Sequence, residues 1–202
     1  MIFFPNRNGR DPARRAAALA LMICASFALP VSVNAASWAV DKKRSVVAFD
    51  YSENGKIRSG QFRRYELLLD ADPARLDQTT ARIAIDVVGL SLNDVFREGI
   101  LMTDPWFRAG AFPEATFELM ELVPSDARED GYDAVGTMTI KGISKSYTVP
   151  LTLEIEGDEA RASGTFSLAR EDFKLRDKIT ESFVEIGKTI KIRFDFLATA
   201  RR

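Results

Sequence analysis

The hydrophobic positions of this chain alternate with a period of two over most of its length. The clearest case is the stretch 135–155, whose two arms each place apolar side chains on one face and polar ones on the other. Such alternation is typical of half-buried β-strands, because successive strand side chains point to opposite faces. Lys141 and Gly142 predict a turn between the arms, since glycine reaches positive φ without a steric cost. Pro150 cannot donate a ladder hydrogen bond and predicts an edge position or a local bulge.

The same alternation predicts short strands along the rest of the chain. They are expected over 37–40, 45–51, 56–63, 65–69, 82–88, 116–122, 132–140, 145–155, 161–168, 183–186 and 189–196. A turn is predicted at Glu53-Asn54-Gly55, and the stretch 76–80 is predicted to be a loop. Gly60 lies inside a predicted strand, which indicates a bulge or a close approach of another group.

One segment departs from the period of two. Between residues 91 and 112 the large apolar side chains are spaced more as in a helix, which predicts a short helical insertion around residues 92–110. Ser91 or Asn93 is a candidate cap for the start of this helix, because short polar side chains accept hydrogen bonds from the first free backbone N–H groups.

About eight to ten short strands with one helical excursion predict an all-β fold, either an antiparallel barrel or a sandwich. The regular one-face alternation favours a single sheet closed into a barrel. An eight-stranded barrel is either filled by side chains or just holds one elongated ligand. The chain has 14 Phe against 4 Tyr and 2 Trp. Phenyl rings without polar atoms suit a hydrocarbon ligand, but the same rings would also fill an ordinary core.

The first 35 residues have the three parts of a secretory signal peptide. Four arginines precede an uncharged apolar run of 14 residues (16–29), and Val33 and Ala35 are the small residues expected before a cleavage site. The run is too short for a comfortable membrane span. We therefore predict a cleaved signal peptide at 1–35, a single mature domain at 36–202, and a periplasmic location.

Charge and composition exclude several classes of function. Removing the four arginines and one aspartate of the leader from 28 basic and 29 acidic residues leaves a net charge of −4. The sequence contains no basic stripe of the kind that would indicate nucleic-acid binding. The chain contains no histidine, which excludes histidine-dependent triads and histidine-ligated zinc or haem. The single cysteine, Cys24, lies in the leader, so the mature chain has no disulfide and depends on its core for stability.

Several segments together resemble the YceI-like family. They are Trp38-Ala39-Val40-Asp41, the run 44–49, 59–62, Phe96-Arg97-Glu98, 104–107, 111–117, 136–145 with Val149-Pro150-Leu151, and 168–173. Their order and spacing cover essentially all of the mature chain. The resemblance implies an extended eight-stranded antiparallel barrel, similar to lipocalins, whose cavity holds a polyisoprenoid chain or an isoprenoid quinone. Members of the family are commonly exported to the periplasm.

The resemblance and the pattern of inward positions together predict an exported protein that binds a long isoprenoid lipid for carriage or storage. Arg97 and Arg170 are candidates for contacting a head group. The alternative for each is an arginine that is solvated or held in a salt bridge. The predicted ligand contacts are Phe49, Tyr51, Phe62, Phe96, Arg97, Trp106, Phe107, Phe117, Met138, Ile140, Phe166, Arg170 and Phe173. Tyr147, Val149 and Leu151 are further candidate lining residues.

Two other functions remain open at this point. The barrel could serve as an accessory protein of a membrane quinone-linked redox enzyme, which changes the partner but not the ligand. A hydrolase or isomerase on the same barrel is less favoured, because no phosphate-binding glycine loop, metal cluster or nucleophile motif is present in the sequence. We predict a binding protein that is not an enzyme. It needs no cofactor or metal, binds no nucleic acid and is a monomer or homodimer.

Overall fold

The computed structural model describes residues 36–128 and 130–201. The predicted signal peptide lies outside the described residues. Eleven β-strands and two short α-helices, all within the described ranges, make up the fold. The strands are β1 Ala36–Val40, β2 Val46–Glu53, β3 Lys56–Phe62, β4 Tyr65–Ala71, β5 Thr80–Asp86, β6 Leu90–Ser91, β7 Glu114–Pro124, β8 Gly131–Ile140, β9 Ile143–Glu156, β10 Glu159–Ala169 and β11 Ile186–Ala200, and the helices are α1 Val95–Leu101 and α2 Lys178–Glu181.

Eight strands form a closed antiparallel ring in the order β1, β4, β5, β7, β8, β9, β10 and β11, and β11 returns to β1. The long strand β11 closes the ring with its last residues, where Trp38 stands opposite Ala200. Its earlier part pairs with β2, from which β3 and β6 continue the sheet. The predicted all-β, eight-stranded barrel with a short helical insertion is confirmed.

The hairpin of β8 and β9 shows how the alternation builds the barrel. In β8 the buried and half-buried residues alternate from Ala134 to Ile140. The predicted turn is present, and Lys141 and Gly142 both have positive φ, at 52° and 71°. Pro150 stands opposite Asp133 of β8 but lies one residue beyond the last pair between β9 and β10. On that side it occupies an edge position, as its missing N–H predicts.

The helical insertion is shorter than predicted. The capping residue of α1 is Asp94, whose carboxylate accepts a hydrogen bond from the backbone N–H of Arg97, and not Ser91 or Asn93. Ser91 instead donates to the Glu98 carboxylate, which also accepts from the backbone N–H of Leu92 at 2.7 Å. These bonds fix α1 against the short strand β6.

Three local predictions were wrong. Residues 183–185 do not form a strand, and Ile186 is the first residue of β11. The backbone N–H groups of Phe183 and Val184 both bond to the Thr180 carbonyl, so they continue the turn after α2. Glu53 is not part of the turn but the buried last residue of β2. The stretch 76–80 is not a plain loop, because Leu76–Gln78 forms a 3₁₀ turn and β5 begins at Thr80. In each case a contact distant in sequence or a local hydrogen bond overrides a weak pattern.

Candidate functional site

The barrel encloses an apolar cavity of about 560 Å³. Its lining extends from Trp38 and Thr79 at one end to Phe96 and Trp106 at the other. The volume lies within the roughly 300–1,000 Å³ that is usual for small-molecule sites. The inward rings and aliphatic side chains therefore surround a space and do not fill the interior. This decides between the two interpretations that the sequence left open.

Inward-facing glycines explain why so many aromatic rings leave the barrel hollow. Three ring–glycine contacts share one arrangement: Phe49 with Gly60, Phe117 with Gly136, and Phe194 with Gly164. In each, a Cβ on the glycine would collide with the ring. The rings thus lie over positions without a side chain on neighbouring strands, which leaves them room at the wall. The close approach predicted at Gly60 is the ring of Phe49.

One end of the cavity, which we name the helical end, is bordered by α1, the end of β2, the 3₁₀ turn Arg170–Phe173 and α2. Phe96 lines the cavity and is nevertheless 78 % exposed. Thr180 and Val184 line it from the opposite side. The cavity therefore reaches the surface between the two helices.

Arg97 is held at the helical end by two carboxylates. Its Nε and Nη2 donate to the two oxygens of Glu53, each at 3.1 Å, and its Nη1 donates to Asp94 at 2.7 Å. Arg58 donates to the same Glu53 at 2.8 Å. Two arginines thus face two carboxylates, and the cluster is electrically balanced. The pKa of Asp94 is held below its usual value, first by the hydrogen bond from the Arg97 backbone N–H and further by the Arg97 charge.

Arg170 is a buried structural arginine. Its side chain donates to the backbone carbonyls of Gly187 and Leu175, both at 2.6 Å, and of Ile186 at 2.9 Å. It also forms an ion pair with Glu181 of α2 at 3.2 Å. Its guanidinium carbon lies 5.5 Å from the centre of the Trp106 ring. Arg170 therefore joins α2, the start of β11 and the segment after α1, and buried charges need such complete pairing.

Two polar groups at the helical end remain available to a ligand. The indole N–H of Trp106 is buried without a hydrogen-bond partner among the described residues, and Trp106 lines the cavity. Buried donors are normally paired, so an unpaired donor on a cavity wall indicates a position for an acceptor. Tyr51 also lines the cavity, and burial, followed by the nearby charge of Glu53, raises the pKa of its hydroxyl. It stays a neutral hydrogen-bonding group at physiological pH.

The opposite end of the cavity, which we name the closed end, is sealed by buried residues. Trp38 packs there with Ala71, Ala160 and Ala198, and its indole N–H donates to the Ala71 carbonyl at 3.1 Å. The 3₁₀ turn Leu76–Gln78 lies over this end, and Leu76 packs against Leu122 and Ala134 of the barrel.

A tyrosine network supports the cavity wall from behind the helical end. The Tyr147 hydroxyl donates to Asp172 at 2.7 Å and accepts from the Ala169 backbone N–H at 3.3 Å. Its ring stacks on the fully buried ring of Phe173 at 5.8 Å between centroids. Burial, and then the hydrogen bond to Asp172, raises the pKa of Tyr147 to about 12.

The structure places most of the predicted contact residues together. Those on the cavity wall are Phe49, Tyr51, Phe62, Phe96, Arg97, Trp106, Phe107, Phe117, Met138, Ile140, Phe166 and Arg170, with Val149 and Leu151 from β9. Phe173 and Tyr147 are not among the lining residues, because their rings stack on each other. Whether the lining residues touch a ligand stays a prediction. Both arginines take the salt-bridged alternative, so neither presents a free charge to a head group.

Sequence reasoning missed several residues of the site. Glu53 and Asp94 balance Arg97, but their contribution depends on segments that meet only in the fold. Leu76 and Thr79 line the closed end from a stretch that carries no strand pattern. The period-two pattern of β8 places Gly136 on the same inward face as Met138. This pattern could have predicted that a glycine faces the interior.

Among residues 36–128 and 130–201, no group of three or more His, Cys, Asp or Glu side chains is placed to hold a metal ion. In the same part of the chain, neither helix has the length and apolar character needed to cross a membrane.

A closed antiparallel barrel around an apolar cavity places this protein in the lipocalin-like structural class. The chain belongs to the YceI-like family, whose domain model matches residues 38–198. A UPF0312 protein of Vibrio parahaemolyticus is 25 % identical over 174 residues, which are 80 % of this chain and 89 % of that protein.

Solved structures show the same fold. The BcnA protein of Burkholderia cenocepacia superimposes with a TM-score of 0.73 at 27 % identity, covering 80 % of this chain and 100 % of that one. A polyisoprenoid binding domain from Saccharophagus degradans, implicated in plant cell wall breakdown, matches with a TM-score of 0.63 at 17 % identity. This match covers 82 % of this chain and 99 % of that domain, and at this identity it is a likeness of fold.

Proposed function

We propose that this protein is an exported binding protein that holds an isoprenoid lipid in its barrel, for carriage or storage. The observation that carries the proposal is the hollow apolar cavity, which runs between the ends of the barrel and opens at the helical end. The description of the Saccharophagus degradans domain as polyisoprenoid binding supports it. Binding is favoured over catalysis because the lining is almost entirely hydrocarbon.

The lining supplies affinity through burial of the lipid chain. Each buried CH₂ contributes about 0.8 kcal/mol, so a chain of several isoprene units binds tightly without polar contacts. Phenyl rings such as those of Phe49 and Phe194 provide apolar contact area. They have no polar atoms that would need a hydrogen bond from the ligand.

The helical end favours an uncharged head group, such as a quinone or an alcohol. Arg97 is neutralised by Glu53 and Asp94, and Arg170 is occupied by backbone carbonyls and Glu181. Neither arginine offers an uncompensated charge to a phosphate. The unpaired indole N–H of Trp106 instead suits a carbonyl or hydroxyl oxygen as acceptor.

Extraction of the purified protein with organic solvent, followed by mass spectrometry, tests the proposal. We expect a polyprenyl species to copurify with the wild-type protein from an exporting host. Phe166→Asp places a charge on the cavity wall and should abolish retention, because an unpaired buried charge is strongly disfavoured. Ser167→Asp, one position along β10 on the exposed face, is the matched control and should retain the lipid. Equal retention in both variants, or a wild-type protein without lipid, would contradict the proposal.

The head group is tested separately with Trp106→Phe, which removes the N–H and keeps a ring in place. Loss of one hydrogen bond should weaken binding of a polyprenyl quinone or alcohol about fivefold to tenfold. Binding of a head-group-free polyprenyl hydrocarbon should hardly change. If Trp106→Phe weakened binding of the hydrocarbon more than binding of the quinone or alcohol, the head group would not lie at Trp106.

Export and the physiological partner are also part of the proposal. A periplasmic location is tested by fractionation and intact mass, which should show a mature chain beginning at Ala36. A membrane quinone-linked enzyme as partner stays a prediction from the family resemblance.

A further inference from the structure

Four large apolar side chains project into solvent at the helical end. Val95 and Phe96 belong to α1, and Ile179 and Phe183 lie in and just after α2; each is between 74 % and 85 % exposed. We name these four residues the apolar rim. Isolated exposed apolar residues are ordinary, but a group around one opening is typical of a binding surface.

Contacts on both sides of the opening hold the two halves of the apolar rim together. On one side Arg97 of α1 binds Glu53, which stands opposite Ile186 in the sheet just beyond α2. On the other side the backbone N–H of Arg176, shortly before α2, donates to the Pro105 carbonyl at 3.2 Å. The rim is thus continuous with the cavity, and Phe96 belongs to both.

Lysine residues lie next to the apolar rim. Lys178 precedes Ile179 in α2, and Lys56 precedes Ile57, an exposed residue beside the β2–β3 turn. That turn contacts the segment that follows α2 through two hydrogen bonds between Asn54 and the Glu185 backbone.

The charge balance of this surface is positive. Lys56, Lys178 and Lys188 are exposed, and none forms an ion pair within the described part of the chain. The carboxylates of Asp94 and Glu181 are already bound to arginines. Exposed Glu185 and the Asp177 carboxylate, which caps α2 beside Lys178, offset two of the three lysine charges. The lysines therefore leave the apolar rim with one excess positive charge.

We propose that the apolar rim docks on an anionic lipid bilayer, so that the opening of the cavity faces the membrane. This inference rests on the proposed function, since it supplies the route by which a membrane lipid enters. Apolar side chains inserted at the interface, with lysines at the level of anionic head groups, are the two contributions that hold a protein on a membrane surface. An isoprenoid chain would pass from bilayer to barrel without crossing water.

Cosedimentation with vesicles of phosphatidylethanolamine and phosphatidylglycerol tests the docking. The paired substitutions Ile179→Asp and Phe183→Asp should lower the partition coefficient by about tenfold or more, because they replace inserted apolar area by charge. Neither residue lines the cavity, so lipid already loaded into the purified protein should dissociate at the wild-type rate. Lys56→Gln and Lys178→Gln should each lower binding about fivefold on these vesicles and have no effect on phosphatidylcholine vesicles.

The matched control uses exposed apolar residues away from the rim. Leu68 is 64 % exposed on the outer face of β4, and Met120 is 74 % exposed on β7. Leu68→Asp with Met120→Asp should leave vesicle binding at the wild-type level. A loss equal to that of the rim variant would overturn the proposal, as would a wild-type protein that does not bind vesicles.

Three further outcomes are distinguishable. If the wild-type protein ignores vesicles but dimerises in sedimentation equilibrium, and the rim variant does not, the rim is an interface between two copies and membrane docking is wrong. If the rim substitutions abolish vesicle binding but no isoprenoid copurifies with the wild-type protein, the docking stands and the proposed ligand is wrong. If isoprenoid copurifies but the protein does not bind vesicles, the proposed ligand stands and the docking fails.

Discussion

The two ends of the barrel are held together in different ways. At the closed end Trp38 packs among the small side chains of Ala71, Ala160 and Ala198, and its polar atom is satisfied by a sheet carbonyl. At the helical end, α1, α2 and the 3₁₀ turn Arg170–Phe173 lie outside the sheet ladder and attach to the ends of β2 and β11. Arg97 and Arg170 join these segments through carboxylates and backbone carbonyls.

This difference indicates which end exchanges the ligand. Packing of sheet residues is lost only when the barrel unfolds, whereas short segments tied by a few polar contacts open at lower free energy. The helical end also carries the exposed Phe96 and the apolar rim. We therefore interpret the closed end as the permanent floor of the cavity and the helical end as its entrance.

Removal of Arg170 should destabilise the protein more than removal of Trp38. Arg170→Leu leaves the carbonyls of Gly187, Leu175 and Ile186 without their donor and should lower the free energy of unfolding by about 3 kcal/mol or more. Trp38→Phe at the closed end loses one neutral hydrogen bond and some area, which amounts to about 1–2 kcal/mol. Urea denaturation of both variants measures the difference.

Arg108→Leu is the control for a general arginine effect, because Arg108 and its partner Asp104 are both exposed. It should change the free energy of unfolding by less than about 1 kcal/mol. If Arg170→Leu were no more harmful than this control, the helical end would not depend on its polar contacts.

A methyl group at a glycine position of the wall should disturb the lumen between the two ends. Gly164→Ala places a methyl group where the Phe194 ring and the Pro150 carbonyl lie, and should destabilise the protein by about 1–3 kcal/mol. The displaced ring should also reduce the amount of lipid retained. Gly110→Ala is the control, since a Cβ there meets nothing within 4 Å. Equal stability of the two variants would show that the wall yields easily.

The sequence predicted the wall of the cavity better than its ends. Alternation identified the inward residues of β8 to β10, because a period of two follows directly from strand geometry. The ends depend on partners that are distant in the chain. Arg97 is 44 positions from Glu53, and nothing in either local pattern announces their hydrogen bonds.

Stacking and turn formation account for two other differences. Phe173 was expected to face a ligand, but its ring is enclosed by Tyr147 and by the core beneath the 3₁₀ turn. Phe183 lies in a short apolar run that is compatible with a strand, yet the Thr180 carbonyl recruits its N–H into a turn. Short apolar runs do not distinguish these states by periodicity.

Alkaline pH should weaken the Tyr147 network that supports the helical end. The pKa of Tyr147 rises from its ordinary value of 10.0 to about 12 in the folded protein. The unfolded chain therefore loses this proton more readily, and the stabilisation present below pH 10 disappears as the pH rises toward about 12. Unfolding midpoints measured across this range should fall in the wild-type protein.

Asp172→Asn should bring the pKa of Tyr147 closer to its ordinary value, because it removes the carboxylate that favours the protonated phenol, while burial continues to act. The pH range over which stability falls should therefore be narrower. Tyr147→Phe removes the contribution of this residue altogether. An unchanged slope in Tyr147→Phe would show that another group governs the alkaline limit.

One buried hydroxyl at the closed end should have only a small influence on stability. The hydroxyl of Thr79 is buried without a partner among the described residues, and Thr79 lines the cavity. Thr79→Val keeps the shape and removes an unsatisfied polar atom, so it should stabilise the protein by about 1 kcal/mol. Thr80→Val, at the exposed next position, should change the free energy of unfolding by less than about 0.5 kcal/mol. Destabilisation by Thr79→Val in urea denaturation would mean that the hydroxyl is hydrogen-bonded in solution, and the closed end would then be a second polar site and not an apolar floor.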